Sequence, residues 1–170
     1  AVMRGASVTL VSGPVNIEPF LGIDVVNVKS AADMAEAVAA RSEASDIVVM
    51  CSAVADYTPT HYSAQKVKKS DGELSIPLAR TTDILHTLGM KKKEGQMLVG
   101  FSMETENLIE NSRKKLSKKN ADIICANTIA DGGDTGFAVD TNQVTLITET
   151  EVITLPLCTK EETADLILSH

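Results

Sequence analysis

Ile47-Val48-Val49-Met50-Cys51-Ser52-Ala53-Val54-Ala55-Asp56-Tyr57 decides how this chain is read. The apolar run at its head describes a buried strand, and the small residues and aspartate at its tail mark where that strand gives way to a loop. In an open parallel sheet, ligands bind in the crevice beyond the carboxyl ends of the strands, where loops can differ without disturbing the core. Asp56 is thereby placed to meet a ligand. Ten residues after the aspartate stands Lys66-Val67-Lys68-Lys69. A plain strand-to-loop turn beside a solvated lysine run has the same local signature, so the flanking sequence has to separate the two.

Upstream, Ser30 and Asp33 form an S-x-x-D capping pattern for a helix in which Met34, Val38 and neighbouring alanines share one apolar face. Residues 23–28 and 8–12 read as further strands, the earlier one broken by Gly13-Pro14. Residues 1–4 look like the last turn of a helix stopped by Gly5 in the C′ position. Four residues cannot nucleate a helix, so an N-terminal strand and most of a helix are expected to be missing from this chain.

Downstream, Asp71-Gly72 between two short alternating runs signals a hairpin, with Lys66 and Lys68 projecting from one face of its first arm. Thr81 or Thr82 is expected to cap a short helix containing Asp83, Ile84 and Leu85 and ending near Gly89. A strand over residues 97–101, a helix over 107–118 and a strand over 122–127 follow, then a pliable loop with Gly132, Gly133 and Gly136. Residues 144–147 and 152–155 pair as a second hairpin, and Thr159 with Glu162 makes a capping box for the last helix. Strand and helix alternate, which predicts a three-layer α/β/α, Rossmann-like parallel sheet with right-handed crossovers and a C-terminal two-stranded hairpin extension.

The totals bound the rest. At 170 residues, with 44% hydrophobic residues, the chain suits a single domain spanning 1–170. A formal charge of -7 and an aromatic content of 3% argue against a nucleic-acid or anionic-membrane partner, which would want a basic surplus or stacking rings. The longest apolar runs fall far short of the ~20 residues a bilayer span needs. Cys51, Cys125 and Cys158 are odd in number and lack CxxC spacing, as expected for packed, reduced thiols in the cytoplasm.

Half of the sixteen lysines and arginines fall in two short windows, residues 66–69 and 113–119. An acidic protein that gathers its cations this way has the makings of a small-anion site, although two solvated faces have the same pattern. Three strands end in small or polar groups suited to a ligand: Ser52 to Asp56, Gly100-Phe101 and Asn127. In a parallel sheet these converge on one edge. Gly100 would admit close approach of a ligand, and Phe101 would cover a base or sugar or else pack in the core. Lys115 and Lys119, four apart on one helical face, would reach toward a phosphate chain or merely snorkel.

Ala53-Val-Ala-Asp-Tyr57, Lys66-Val-Lys-Lys69, Val99-Gly-Phe101 with Glu104-Thr105, Asn120-Ala-Asp-Ile-Ile-Cys-Ala-Asn127, and Gly136-Phe137 with Asp140-Thr-Asn142 occur in an order that resembles the bacterial phosphopantothenoylcysteine synthetases of coenzyme A biosynthesis. The likeness covers essentially the whole chain. It implies an amide ligase in which the carboxylate of 4′-phosphopantothenate attacks the α-phosphate of CTP, and the amine of cysteine then displaces CMP from the acyl-cytidylate. It further implies Lys66 as the catalytic lysine, with Ser52, Asp56, Phe101, Lys115 and Lys119 around the nucleotide. Asp56 and Asp83 are then candidates for the ribose or for Mg²⁺ (or Mn²⁺). A homodimer is implied too, because the second hairpin needs cover for its apolar face. A phosphopantothenoylcysteine decarboxylase would be fused to the chain or partner it. The family often has Asn-Pro-Asp where this chain has Thr81-Thr82-Asp83, and its N-terminal glycine-rich loop has no counterpart here. Two other readings are a nicotinamide-dependent reductase of Rossmann type, which would need a G-x-G-x-x-G turn after the first strand, and a nucleotide-binding module without catalysis.

Overall fold

A computed structural model describes residues 1–67, 75–128 and 139–170. A 3-10 turn at Val2–Arg4, closed by Gly5, leads into β1 (Thr9–Ser12), which pairs in parallel with β2 (Asp24–Asn27). Helix α1 (Ala31–Ser42) begins with the expected capping box: Ser30 Oγ accepts from the Asp33 amide, and the Asp33 carboxylate accepts from the Ser30 amide. Strand β3 (Ile47–Met50) leads to a ribbon of β4 (Tyr57–Pro59) and β5 (Leu78–Arg80), then to α2 (Ile84–Lys91), β6 (Met97–Glu104), α3 (Leu108–Lys119) and β7 (Ile123–Thr128). Four short strands, β8 (Thr141–Asn142), β9 (Thr145–Ile147), β10 (Val152–Thr154) and β11 (Cys158–Thr159), precede the final helix α4 (Lys160–Ile167), whose Thr159–Glu162 capping box also forms.

The main sheet has five strands in the order β10-β9-β7-β6-β3. Its β3-β6-β7 half is parallel, and β9 and β10 run antiparallel. The C-terminal hairpin is therefore the edge of the main sheet, because β9 hydrogen-bonds to β7. Val144 and Leu146 are covered within the chain by Leu155 and by Leu166 and Ile167 of α4, so the ribbon does not need a second subunit to bury its face.

Two faces give two cores. Leu116 of α3 packs with Ile124, Ala126 and Ile147 on one side of the sheet, and α1 and α2 extend that side with Met34, Val38, Ile84 and Leu88. Val11 and Val26 of the β1-β2 pair join the same cluster as Val48 and Met50 of β3. Leu166 and Ile167 close the other side over Val99, Ile123, Cys125 and Leu146. The result is an α/β layered fold whose parallel strands deliver their C-terminal ends to one rim.

Several local expectations shift. The pairing arms of the first hairpin are 57–59 and 78–80, and Lys66 lies in neither; Lys68, Lys69 and Asp71-Gly72 fall outside the described residues. So do Gly132, Gly133, Gly136 and Phe137. Asp83, rather than Thr81 or Thr82, caps α2, and the helix runs past Gly89 to Lys91. The space beside Gly100 is filled by side chains: a Cβ there would meet Leu85 Cδ2 at 2.6 Å and Ile124 Cδ1 at 3.0 Å. Gly100 thus lets α2 seat on the sheet, not a ligand on the backbone. The thiols are free, and burial pushes the Cys125 thiol up to about 12, which suits an inert core residue.

Candidate functional site

The rim where β3 ends, beside Phe101 in the middle of β6, opens into a cleft of about 400 Å³, within the ~300–1,000 Å³ range of small-molecule sites. Its floor is Met50, Ser52 and Val54 after β3, with Phe101 from β6. One wall is helical: Asp83, Ile84 and Leu85 at the start of α2, and Lys115 and Lys119 on α3. The rest of the lining is the base of the β4-β5 ribbon, with Asp56, Tyr57, Arg80, Thr81 and Thr82. Ser52, Asp56, Asp83, Phe101, Lys115 and Lys119 are thus brought together, although 67 residues separate the first from the last. Lys66 lines no part of the cleft; it is exposed on the segment between β4 and β5. Asn127 is buried in β7, opposite Met103 of β6, and does not line it.

The two walls are held differently. Lys115 and Lys119 project from a helix whose inner face is fixed by buried Ser112 and Leu116, with Ser112 Oγ hydrogen-bonded at 2.9 Å to Ser102 Oγ of β6. Where α2 meets α3, Gly89 allows backbone contact: a Cβ on it would lie 1.7 Å from the Lys119 carbonyl oxygen. Asn120 Nδ2 donates to the Gly89 carbonyl at 2.8 Å, and the His86 ring bonds the Lys118 carbonyl at 3.1 Å.

Lys119 is not a free cation. Its ammonium is paired with the Asp83 carboxylate, which also accepts the His86 amide. Partial burial pushes the Asp83 carboxyl up, but hydrogen bonds from Lys119 and the His86 amide outweigh it and hold the group below the ordinary aspartate range. Lys115 has no ion-pair partner among the described residues.

The ribbon wall hangs on two bonds at its base: Thr81 N–H to the Asp56 carbonyl at 2.9 Å, and Thr81 Oγ1 to the Ala55 carbonyl at 2.7 Å. Those bonds use Thr81 up, and the helix is capped by Asp83, whose carboxylate accepts the His86 amide. On this wall Arg80 stacks over Tyr57 with its guanidinium carbon 5.8 Å from the ring centroid. Neither residue is assigned a role by the sequence motifs, and an arginine two residues after Ile76-Pro77-Leu78 carries no local signal that would have found it.

A cation such as Mg²⁺ commonly takes one or two carboxylates and completes its shell with substrate phosphates and water. The Asp56 carboxylate fits that pattern, since it has no side-chain partner among the described residues and faces the cleft. Asp83 fits it less well, its oxygens being engaged by Lys119 and the His86 amide. No cluster of three or more acidic, histidine or cysteine ligands forms among the described residues.

The whole chain, residues 1–170, matches the family model of the DNA/pantothenate metabolism flavoprotein C-terminal domain. The chain belongs to that family. It is 50% identical over 147 residues to the coenzyme A biosynthesis bifunctional protein CoaBC of Bacillus subtilis (strain 168), covering 86% of this chain and 36% of that protein. The chain thus spans about a third of this relative's length. A crystal structure of the C-terminal domain of a CoaBC protein superposes with a TM-score of 0.81 at 43% identity, covering 99% of this chain and 74% of that one. At 15% identity and a TM-score of 0.62, a Cab2 mutant in complex with phosphopantothenate-cysteine shares the fold over 88% of this chain and 53% of its own. Among the described residues no helix is long and apolar enough to cross a membrane.

Proposed function

We propose that this family member is the synthetase unit of a phosphopantothenate–cysteine ligase that uses CTP, working in the cytoplasm as a homodimer beside a fused or partner phosphopantothenoylcysteine decarboxylase. The observation that carries the reading is the cleft itself, where Ser52, Asp56, Phe101, Lys115 and Lys119 meet at the carboxyl ends of parallel strands. Identity of 43% to the solved CoaBC C-terminal domain over nearly the full chain supports it.

In this reading the carboxylate of 4′-phosphopantothenate attacks the α-phosphorus of CTP, a C–O–P bond forms, and pyrophosphate leaves. Two anions must approach each other, so the barrier is electrostatic and cations lower it. Lys115 and Lys119 hold the β- and γ-phosphates from the helical wall, and Phe101 covers the base or sugar. Asp56 takes the ribose or the metal, and Lys66 neutralises charge at the α-phosphate. Mg²⁺, which Asp56 would hold, would supply further Lewis-acid stabilisation of the phosphates. Lys66 lies outside the cleft lining, so the reading requires the segment after β4 to bring it inward once nucleotide is bound. Cysteine's amine then attacks the acyl carbon, and CMP departs with the C–O bond's electrons. The Asp83 carboxylate keeps the Lys119 ammonium placed before nucleotide arrives, and Lys119 then exchanges that carboxylate for a phosphate.

The test uses the full-length protein that carries this chain, given CTP, Mg²⁺ and 4′-phosphopantothenate without cysteine. Pyrophosphate should be released once per site and then stop, and added cysteine should resume turnover with formation of the amide. Absence of nucleotide-dependent pyrophosphate release would remove the ligase reading in favour of a reductase or a binding module.

A further inference from the structure

We infer that Arg80 is a phosphate-binding residue of the cleft, supplied by the ribbon wall alongside Lys115 and Lys119 of the helical wall. The inference rests on the cleft being the ligase site proposed above. Arg80 lines the cleft, and its guanidinium carries no hydrogen bond or ion pair among the described residues. Lys119, by contrast, is occupied by Asp83. In a chain with a net charge of -7, an arginine facing a cleft with no carboxylate on it is an unsatisfied fork of donors.

Its placement is pinned from two directions. The next residue, Thr81, anchors the ribbon base to Asp56 and Ala55 through its amide and hydroxyl, which fixes the backbone that Arg80 leaves from. The Tyr57 ring, 5.8 Å from the guanidinium carbon, supports the plane of the fork by a cation–π contact and leaves its edge N–H groups open. A planar, always-charged fork with a prepared orientation matches two oxygens of a tetrahedral phosphate, and a lysine does not reproduce that match. A ribbon tied down this way at its base adds a third cation to a cleft already lined by Lys115 and Lys119. Two ligands of the proposed reaction carry a phosphate, the nucleotide and the phosphate monoester of the acid substrate, and the geometry assigns Arg80 to the shared chemistry.

The experiment measures binding to the full-length protein and to its R80A and R80K variants by calorimetry, in separate arms with inorganic pyrophosphate, CTP with Mg²⁺, and 4′-phosphopantothenate. R80A should weaken pyrophosphate and one of the two substrates about tenfold or more, and R80K should recover only part of the loss. The weakened substrate arm identifies whose phosphate is held. The Michaelis constant for cysteine, which has no phosphate, should not move, and circular dichroism should be unchanged because Arg80 is exposed. Unaltered affinity for all three ligands in R80A, or full recovery in R80K, would overturn the inference. Catalytic pyrophosphate release by a wild type whose R80A variant binds like it would sink Arg80 and leave the ligase standing. Loss of pyrophosphate binding in R80A from a protein that never turns over CTP would do the opposite.

Discussion

The helical wall of the cleft and its ribbon wall face the same space but are built on opposite principles. On the helical side, Lys115 and Lys119 emerge from a packed layer, with Leu116 and Ser112 buried beneath them and the α2–α3 crossing in backbone contact at Gly89. On the ribbon side, all six residues of β4 and β5 are exposed, and two hydrogen bonds from Thr81 fix the base. Positioning of the helical cations is therefore inseparable from the stability of the fold. The ribbon groups can be changed with little effect on it. The difference predicts that substitutions sort by wall: on the ribbon side chemistry is lost without stability, and on the helical side changes in the packing beneath the cations cost stability as well.

The largest expected effect is on the ribbon side. Lys66 is exposed and has no partner among the described residues, so Lys66→Ala should leave the melting temperature unchanged. If it neutralises charge at the α-phosphate, the same substitution should cut pyrophosphate release by about 10²–10³-fold, the range seen when one transition-state stabilising donor is removed. Single-turnover release from the full-length variant at the wild-type rate would break the comparison at its strongest point.

The helical side should answer in the other currency. A Cβ at Gly89 would collide with the Lys119 carbonyl oxygen at 1.7 Å and its carbon at 2.8 Å, atoms that cannot rotate away. Gly89→Ala must push α2 from the end of α3, at a cost of about 3 kcal/mol, or a fall of roughly 6–12 °C in melting temperature. Gly13→Ala is the control, since nothing lies within 4 Å of the added atom. Equal thermal melts for the two variants would show that the helical wall is less tightly joined than its geometry implies.

What could be read from the sequence divides along physical lines. Caps whose partners are three residues apart, Ser30 with Asp33 and Thr159 with Glu162, were legible because donor and acceptor share one turn. The end of β3 was legible for the same local reason and placed Ser52 and Asp56 at the rim, whereas β6 runs on past Phe101 to Glu104 and Asn127 is buried in β7 away from the cleft. The cap of α2 was not legible. Thr81, Thr82 and Asp83 are adjacent and all can cap, and only the long-range bonds from Thr81 to Asp56 and Ala55 take the first of them out of contention. The attachment of the C-terminal hairpin to β7, the pairing of Lys119 with Asp83 and the exposure of Arg80 to the cleft are equally non-local. No periodicity encodes them.

Asp83 sits at the seam of the two walls, and the smallest expected effect belongs there. Asp83→Asn keeps a side chain that can cap α2, since asparagine caps about as well as aspartate, but it removes the charge that holds Lys119. The pair is partly exposed, with Lys119 at 13% and Asp83 at 50% side-chain accessibility, so its loss should cost about 0.5 kcal/mol at neutral pH, a shift of roughly 1–2 °C. The sign of the pH dependence follows from the depressed carboxyl. A group whose folded-state pKa lies below its unfolded one stabilises the protein above the unfolded value, near 3.9 for aspartate, and that contribution is lost as pH falls through the folded value. The gap between wild type and Asp83→Asn should therefore be constant from pH 7 to about 5 and close progressively in stronger acid. Denaturant titrations at pH 7, 4 and 3 measure it directly. A gap that persists undiminished at pH 3 would mean that the asparagine harms the cap itself, and that the charge of Asp83 does not set the place of Lys119.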